Sequence, residues 1–100
     1  MKRIYISGPI EGQSDYVERF AKAEAELYAA GYEICNPVDL YGEMIPGTTK
    51  EELIDASLKL LTDCDGIYML DGWEISTIPS LEYKTAVDLK KMIIFEGGEL

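Results

Sequence analysis

Apolar positions along the chain change period several times, and each change marks an element. Residues Arg3 to Ser7 hold a β-rich run, Ile4-Tyr5-Ile6, that stops at Gly8-Pro9 because proline cannot continue a central strand ladder. This predicts a first strand. Val17, Phe20, Ala23, Leu27 and Ala30 then recur at helical spacing, Asp15 with Glu18 has the form of a capping box, and Gly31 supplies a C-terminal stop. Tyr32 to Cys35 reads as a second brief strand ended by Asn36-Pro37. A loop over 38–47 follows, carrying Tyr41, Gly42, Pro46 and Gly47. Thr48 with Glu51, or Thr49 with Glu52, offers another capping box, after which Leu53, Ala56, Ser57, Leu60 and Leu61 mark one face of a second helix. Beyond the turn Asp63-Cys64-Asp65-Gly66, the run Ile67-Tyr68-Met69-Leu70 is nearly all apolar, as suits a strand buried on both faces. Asp71 to Thr77 reads as a loop and Ser80 to Leu89 as a third helix, with Pro79 tolerated in its first turn and Lys84 and Asp88 spaced for an i,i+4 pair. Met92-Ile93-Ile94-Phe95 is the fourth strand, and Gly97-Gly98 frays the end.

Strands alternating with helices imply βαβ crossovers and a parallel sheet covered on both faces. The expected architecture is an α/β three-layer sandwich with a parallel sheet of about four strands in the order 2-1-3-4. In such sheets ligands sit beyond the carboxyl ends of the strands where the order reverses, here between the first and third. Three loops converge there, 7–12, 37–47 and 71–77.

Composition narrows the chemistry. One hundred residues set a single domain over 1–100 as the expectation, and 47% apolar with 28% charged residues is ordinary globular usage, not that of a disordered or low-complexity chain. Nineteen acids against nine bases give a formal charge of −10, which repels a polyanionic backbone and speaks against duplex nucleic acid as a partner. The absence of histidine removes the commonest metal ligand and the usual general base, so chemistry must rest on carboxylates, hydroxyls, tyrosines or thiols. Cys35 and Cys64 lack CxxC spacing, so neither a disulfide framework nor a zinc ribbon is encoded, and reduced buried thiols are expected. No run reaches the ~18 apolar residues of a membrane span, and Met1-Lys2-Arg3-Ile4-Tyr5 lacks a signal-peptide core, so a cytoplasmic protein without membrane contact is expected.

Glu82 is the most informative single position. Ile78, Ala86 and Leu89 share its stripe on the third helix, so a carboxylate interrupts an apolar face. Placed in the first turn of a helix starting near Pro79, its ionised form is favoured by the helix dipole, and an ionised, partly desolvated carboxylate facing a cleft suits a nucleophile or electrostatic stabiliser. The competing account is a salt-bridged or capping glutamate with only its stem buried. The loop Ser7-Gly8-Pro9-Ile10-Glu11-Gly12 follows the first strand, and its glycines let the backbone approach a ligand, although it lacks the dinucleotide G-x-G-x-x-G spacing and can equally be an ordinary tight turn. Asp71-Gly72-Trp73-Glu74-Ile75-Ser76 brings an aromatic, two carboxylates and a hydroxyl to the same cleft; Trp73 suits either stacking on a planar base or anchoring a subunit interface. Tyr5 alternates with Ile4 and Ile6, which directs its ring toward one helical layer and its hydroxyl toward the cleft, or else makes it a core tyrosine. Asp63 and Asp65 lie at the opposite end of the sheet and are turn formers.

Taken together, Tyr5-Ile6-Ser7-Gly8-Pro9-Ile10-x-Gly12, Gly31-Tyr32-x-Ile34-x-Asn36-Pro37, and Cys64-Asp65-Gly66-Ile67-x-Met69-Leu70-x-Gly72-Trp73-Glu74-x-Ser76 with Glu82 form an ordered pattern over nearly the whole length. The chain resembles the small, often phage-encoded relatives of the nucleoside 2-deoxyribosyltransferase family. The resemblance implies a flavodoxin-like domain that binds a nucleoside or nucleotide at the switch point and breaks or exchanges its N-glycosidic bond. It implies Glu82 as the nucleophile on the anomeric carbon, Tyr5 as the residue orienting it, and Ser76 as the polar contact to sugar or phosphate. Ser7, Gly8, Pro9, Gly12, Asp71, Gly72, Trp73 and Glu74 fall in the substrate-binding segments. No metal or redox cofactor is required, since an anionic carboxylate stabilises an oxocarbenium-like state directly. Relatives complete their sites with a neighbouring subunit, so a homodimer or higher homo-oligomer is expected.

The sequence departs from that family at two places. Where relatives carry the aspartate that serves the leaving base, this chain has Ser57, and Asp55 lies about 160° around the helix from it. Ile78-Pro79 stands where a glycine and a small residue are usual, which adds bulk and removes an N–H donor from any phosphate cradle at that helix start. These departures keep open a catalytically silent nucleotide-binding or sensing module on the same fold, beside a purely structural domain using Trp73 and Tyr41 surfaces.

Overall fold

The computed structural model describes residues 1–38 and 47–100. The expected loop over 38–47, with Tyr41, therefore lies almost wholly outside the described residues. Strands β1 (Arg3–Ser7), β2 (Glu33–Cys35), β3 (Gly66–Met69) and β4 (Met92–Phe95) pair in parallel in the order β2-β1-β3-β4. The helices are α1 (Tyr16–Ala29), α2 (Lys50–Thr62) and α3 (Thr77–Asp88), and a short 3₁₀ turn occupies Trp73–Ile75 within the expected loop. This is the α/β, flavodoxin-like sandwich with the 2-1-3-4 sheet.

Strand alternation sorts the core into two halves. Ile4 and Ile6 of β1 join Tyr68, Leu70 and Ile94 beneath Phe20, Ala23 and Leu27 of α1. Tyr5, Ile67 and Met69 face the opposite way, into Leu61 and Cys64 from the α2 side and Ala86 of α3. Side chains two apart on a strand share a face, so the single-residue offset between Ile4 and Tyr5 assigns them to different layers. Fully burying each Leu, Ile or Phe contributes roughly 1.5–3 kcal/mol against exposure, which makes these two clusters the main source of stability. The register Ile4↔Gly66 and Gly66↔Met92 leaves no room for a side chain at Gly66, where a Cβ would lie 2.8 Å from the Met92 carbonyl oxygen.

The end of α1 and the start of α2 follow the local chemistry. Gly31 takes φ 94, the Tyr32 N–H bonds the Leu27 carbonyl at 3.1 Å and the Gly31 N–H bonds the Tyr28 carbonyl at 3.0 Å, a Schellman closure of α1. Thr49 caps α2, accepting the Glu52 N–H on its hydroxyl at 3.1 Å. The expected Asp15 cap on α1 is not formed. Asp15 sits at φ −104, ψ 14, away from the extended backbone that aims a capping side chain at the next turn, and it makes no side-chain cap bond. Val17 and Ala30 of the expected α1 stripe are exposed, as is Leu89 at the end of the α3 stripe.

The third helix starts earlier than its sequence suggests. It begins at Thr77 after extended Ser76, and the Ser80 N–H already reaches the Ser76 carbonyl at 3.1 Å. Pro79 is accommodated as the third helical residue, whose N–H has no intrahelical acceptor in any case. Glu82 therefore lies in the second turn, not the first, and the dipole argument for its ionisation weakens accordingly. Lys84 and Asp88 do not form their expected ion pair; the pairs present among the described residues are Arg3–Glu33, Arg19–Glu96 and Lys50–Glu11. No helix among the described residues is long and apolar enough to cross a membrane.

Candidate active site

Tyr5 and Ser7 are two apart on β1, so both point into the layer occupied by α2 and α3. Ser57 on α2 and Glu82 on α3 reach toward them from the helical side. All four are buried: Tyr5 and Ser57 at 0% exposure, Ser7 at 1% and Glu82 at 3%. The Tyr5 hydroxyl donates to Oε2 of Glu82 and the Ser7 hydroxyl donates to Oε1 at 2.7 Å. Ser57 donates to the Ile54 carbonyl at 3.0 Å and is near enough to Glu82 to favour its charged form. A buried glutamate is thus held by two hydroxyls of β1 with a third, on α2, close by, and among the described residues no buried side-chain polar atom lacks a partner.

Two effects oppose each other at this carboxyl. Burial disfavours the charged form and dominates, while the hydrogen bonds from Tyr5, Ser7 and Ser57 favour it; the outcome is a pKa raised from 4.5 to about 7. Glu82 is therefore divided between acid and carboxylate near neutral pH. This corrects the expectation of a simply ionised residue held by the helix dipole, because burial outweighs a dipole one turn away.

A cleft of about 210 Å³ opens beside this cluster, lined by Gly8, Ile10 and Glu11 after β1, Lys50 at the start of α2, and residues 75–79 at the start of α3. It lies at the carboxyl ends of β1 and β3, where the strand order reverses. Ser7 immediately precedes Gly8 and Glu82 is one helical turn beyond Ile78, both of which line the cleft, while Tyr5, Ser7, Ser57 and Glu82 themselves lie behind that lining. Lys50 and Glu11 approach to 4.0 Å across it as an exposed pair that contributes little to stability. Among the described residues, no set of three carboxylate or thiol side chains converges as metal ligands would.

The residues singled out from sequence separate in space. Gly8 and Ser76 line the cleft, and Tyr5, Ser7 and Glu82 form the buried cluster. Gly8 also has a packing reason: a Cβ there would lie 2.6 Å from Leu70 Cδ1, so β1 and β3 can only leave the sheet together if this residue has no side chain. Pro9 is buried, and Gly72, at φ 90, turns the chain close to it. Gly12 is exposed, its φ of 75 explaining the glycine without a ligand. Asp71 and Glu74 have exposed side chains; the Asp71 backbone is braced by Glu96, which accepts its N–H at 2.7 Å, and by Arg19, which donates to its carbonyl at 2.9 Å. Trp73 does not line the cleft. Its ring packs on Tyr83 at 4.4 Å between centroids and lies 6.2 Å from Phe95, at the β4 edge of the molecule. Ser57 is the neighbour of Glu82 that sequence reasoning missed. The sequence places it on the apolar stripe of α2 and marks it as the position of a missing acid, with no signal for its nearness to Glu82. Glu11 and Thr77 in the cleft fall within the loops expected to converge there, whereas Lys50 carried no sequence signal.

A family profile matches residues 2–95 of the chain, nearly its whole length. The chain belongs to the DUF4406 family, a domain of unknown function. No curated protein sequence matches this DUF4406 chain. Among solved structures, it is similar to a 2-desoxiribosyltransferase from Leishmania mexicana, with a TM-score of 0.69 and 20% identity over 95% of this chain and 63% of the other. The DUF4406 chain thus has the nucleoside 2-deoxyribosyltransferase-like fold, and it spans somewhat less than two thirds of the length of that neighbour.

Proposed function

We propose that the chain cleaves or exchanges N-glycosidic bonds of nucleosides or nucleotides through Glu82. The observation that carries this reading is a carboxyl group 3% exposed, held by Tyr5 and Ser7 and poised near neutral pKa, beside a cleft at the topological switch point. A carboxylate so placed is suited to stabilise positive charge that develops beside it. The fold shared with a 2-desoxiribosyltransferase supports the substrate class.

In this mechanism a Glu82 oxygen attacks the anomeric carbon as the C–N bond breaks, and the base leaves with the bonding pair and takes up a proton. A water or a second base then attacks the same carbon, and Glu82 departs as carboxylate, as in retaining glycoside hydrolysis. Tyr5 donates to Oε2 and Ser7 to Oε1, so one hydroxyl keeps its oxygen in place while the other gives up its hydrogen bond to the oxygen that reacts. Ser76, at the cleft, contacts the sugar or its 5′-substituent, and the N–H groups of Thr77 and Ile78, which have no intrahelical acceptor, lie at the same helix start.

A second reading, a nucleotide-binding or sensing module without turnover, is favoured by one observation. Among the described residues, the groups that act on Glu82 are the hydroxyls of Tyr5, Ser7 and Ser57, and none of them is a second carboxyl acid for the leaving base. Incubation with nucleosides, deoxynucleosides and their 5′-monophosphates, with and without a second base, separates the two. Free or exchanged base that disappears in Glu82→Ala supports the enzyme; ligand-induced thermal stabilisation without any base release supports the binding module.

A further inference from the structure

The sheet has two free edges among the described residues, β2 and β4, and they are built differently. β2 is three residues long, begins with the charged Glu33 and runs into Asn36-Pro37, so shortness, charge and a proline all discourage a further strand. β4 carries none of these devices within it. Met92, Ile93, Ile94 and Phe95 are all apolar, and Phe95 is 46% exposed. The Met92 N–H bonds the Asp65 carbonyl at 3.1 Å and the Glu96 N–H bonds the Met69 carbonyl at 2.8 Å, so these alternate residues turn their backbone toward β3. The N–H groups of Ile93 and Phe95 between them face away from the sheet. Because the Phe95 carbonyl already takes the Gly98 N–H at 2.9 Å, Ile93 is the middle of the open edge. An apolar strip runs beside it. The Tyr83 ring lies between Trp73 and Phe95, with centroids at 4.4 and 6.3 Å, and exposed Val87 stands one turn beyond Tyr83 on the same flank of α3.

Charge identifies what covers this edge. Lys90 and Lys91 stand immediately before β4 and Glu96 immediately after it, so the edge is basic at one end and acidic at the other. Such a strand complements a copy of itself laid antiparallel, whereas a parallel copy would set lysine beside lysine. With Ile93 facing Ile93 across a twofold axis, Lys90 of each copy falls opposite Glu96 of the other. The Arg19 and Asp71 bonds to Glu96 both fall on Oε1, so Oε2 is open to that lysine. We propose that two copies of the chain pair antiparallel through β4, joining their four-stranded sheets into one continuous sheet with the Tyr83–Phe95 strip covered alongside. The Ile93 N–H and carbonyl of each copy then bond those of the other. The contact is isologous and closes as a dimer, and the guarded β2 edge keeps the sheet from extending further.

The inference goes beyond the reading of Glu82 and needs no substrate for its test. The full chain in reducing buffer is followed by sedimentation equilibrium from micromolar to near-millimolar concentration. We expect its mass to rise from 11.2 kDa toward twice that value. In amide hydrogen exchange read by NMR, the Ile93 N–H slows about tenfold or more over the same range, while the Met92 N–H, already bonded within the sheet, changes little. Phe95→Lys puts a charge on the edge, and Ile93→Pro removes the outward N–H without touching a bond to β3; each holds the chain at its single-chain mass. If Ile93→Pro does not fold by circular dichroism, Phe95→Lys decides. Lys90→Glu, which sets like charges together at both ends of the pair, weakens association about tenfold, and added salt narrows that difference. A chain that stays monomeric at the highest concentration, a dimer that persists in folded Phe95→Lys or is indifferent to Lys90→Glu, or a dimer whose Ile93 N–H exchanges as fast as in dilute chain overturns the proposal.

Discussion

The two faces of one sheet solve different problems. Against α1, the sheet presents Ile4, Ile6, Tyr68, Leu70 and Ile94 to Phe20, Ala23 and Leu27, and polar chemistry stays at the margin, where the Tyr68 hydroxyl donates to Glu26 at 3.3 Å. Against α2 and α3, the same strands present Tyr5, Ser7, Ile67 and Met69, and a glutamate with three hydroxyls is buried among Leu61, Cys64 and Ala86. One face spends its burial on cohesion. The other gives up part of that cohesion to hold a carboxyl group out of water, where its proton affinity rises. A stability cost confined to one layer, at the layer adjoining the cleft, is the expected mark of a working site.

The largest expected effect separates the faces by function. Glu82→Gln should reduce base release or exchange by roughly 10⁴-fold or more, with the fold intact by circular dichroism. In the wild type, kcat/KM should rise with pH through about 7 as the carboxylate forms and then level. On the α1 face, Phe20→Ala should cost about 3–5 kcal/mol in urea unfolding and leave the Glu82 titration unmoved, because the sheet lies between them.

Stability against pH sharpens the contrast. Glu82 is an acid whose folded-state pKa is raised, so the folded chain holds its proton more tightly than the unfolded chain. The stability this contributes is complete below about pH 4.5 and is lost as pH rises through about 7, on the order of 3 kcal/mol in all. Glu82→Gln should remove that slope, so the difference between the two unfolding curves at pH 4 and pH 8 is the quantity to measure. Gly8→Ala, which pushes a methyl group into Leu70 between the strand ends, should cost about 1–3 kcal/mol in the same assay. The smallest effects distinguish the helix starts on the two faces. Thr49→Ala should cost about 1 kcal/mol, whereas Asp15→Ala should fall within about 0.5 kcal/mol because no cap bond exists to lose.

Most of the architecture was legible because it depends on period and punctuation. Strand alternation at Ile4-Tyr5-Ile6, the all-apolar β3 and the glycine after α1 are local signals that the tertiary structure leaves in place. Glu82 was legible for the same reason, as a charge breaking an apolar stripe. What failed required knowledge of backbone angles or of distant neighbours. Asp15 has the right side chain at the wrong ψ, and Pro79 masks a helix that starts two residues before it. Trp73 follows β3 directly, yet Tyr83, ten residues later, holds its ring on the β4 side. Ser57 shows the deeper difficulty. A serine on a helical stripe is unremarkable until the carboxyl group it lies near, twenty-five residues on, is in place.

The central claim is that Glu82 captures the anomeric carbon. Its most direct test is intact-protein mass spectrometry of chain quenched with acid after exposure to whichever nucleoside or nucleotide releases base, followed by peptide mapping. The account predicts an added mass equal to the glycosyl group, located on Glu82 and absent from Glu82→Gln. Base release that persists in Glu82→Gln, or an adduct mapped to another residue, would contradict it.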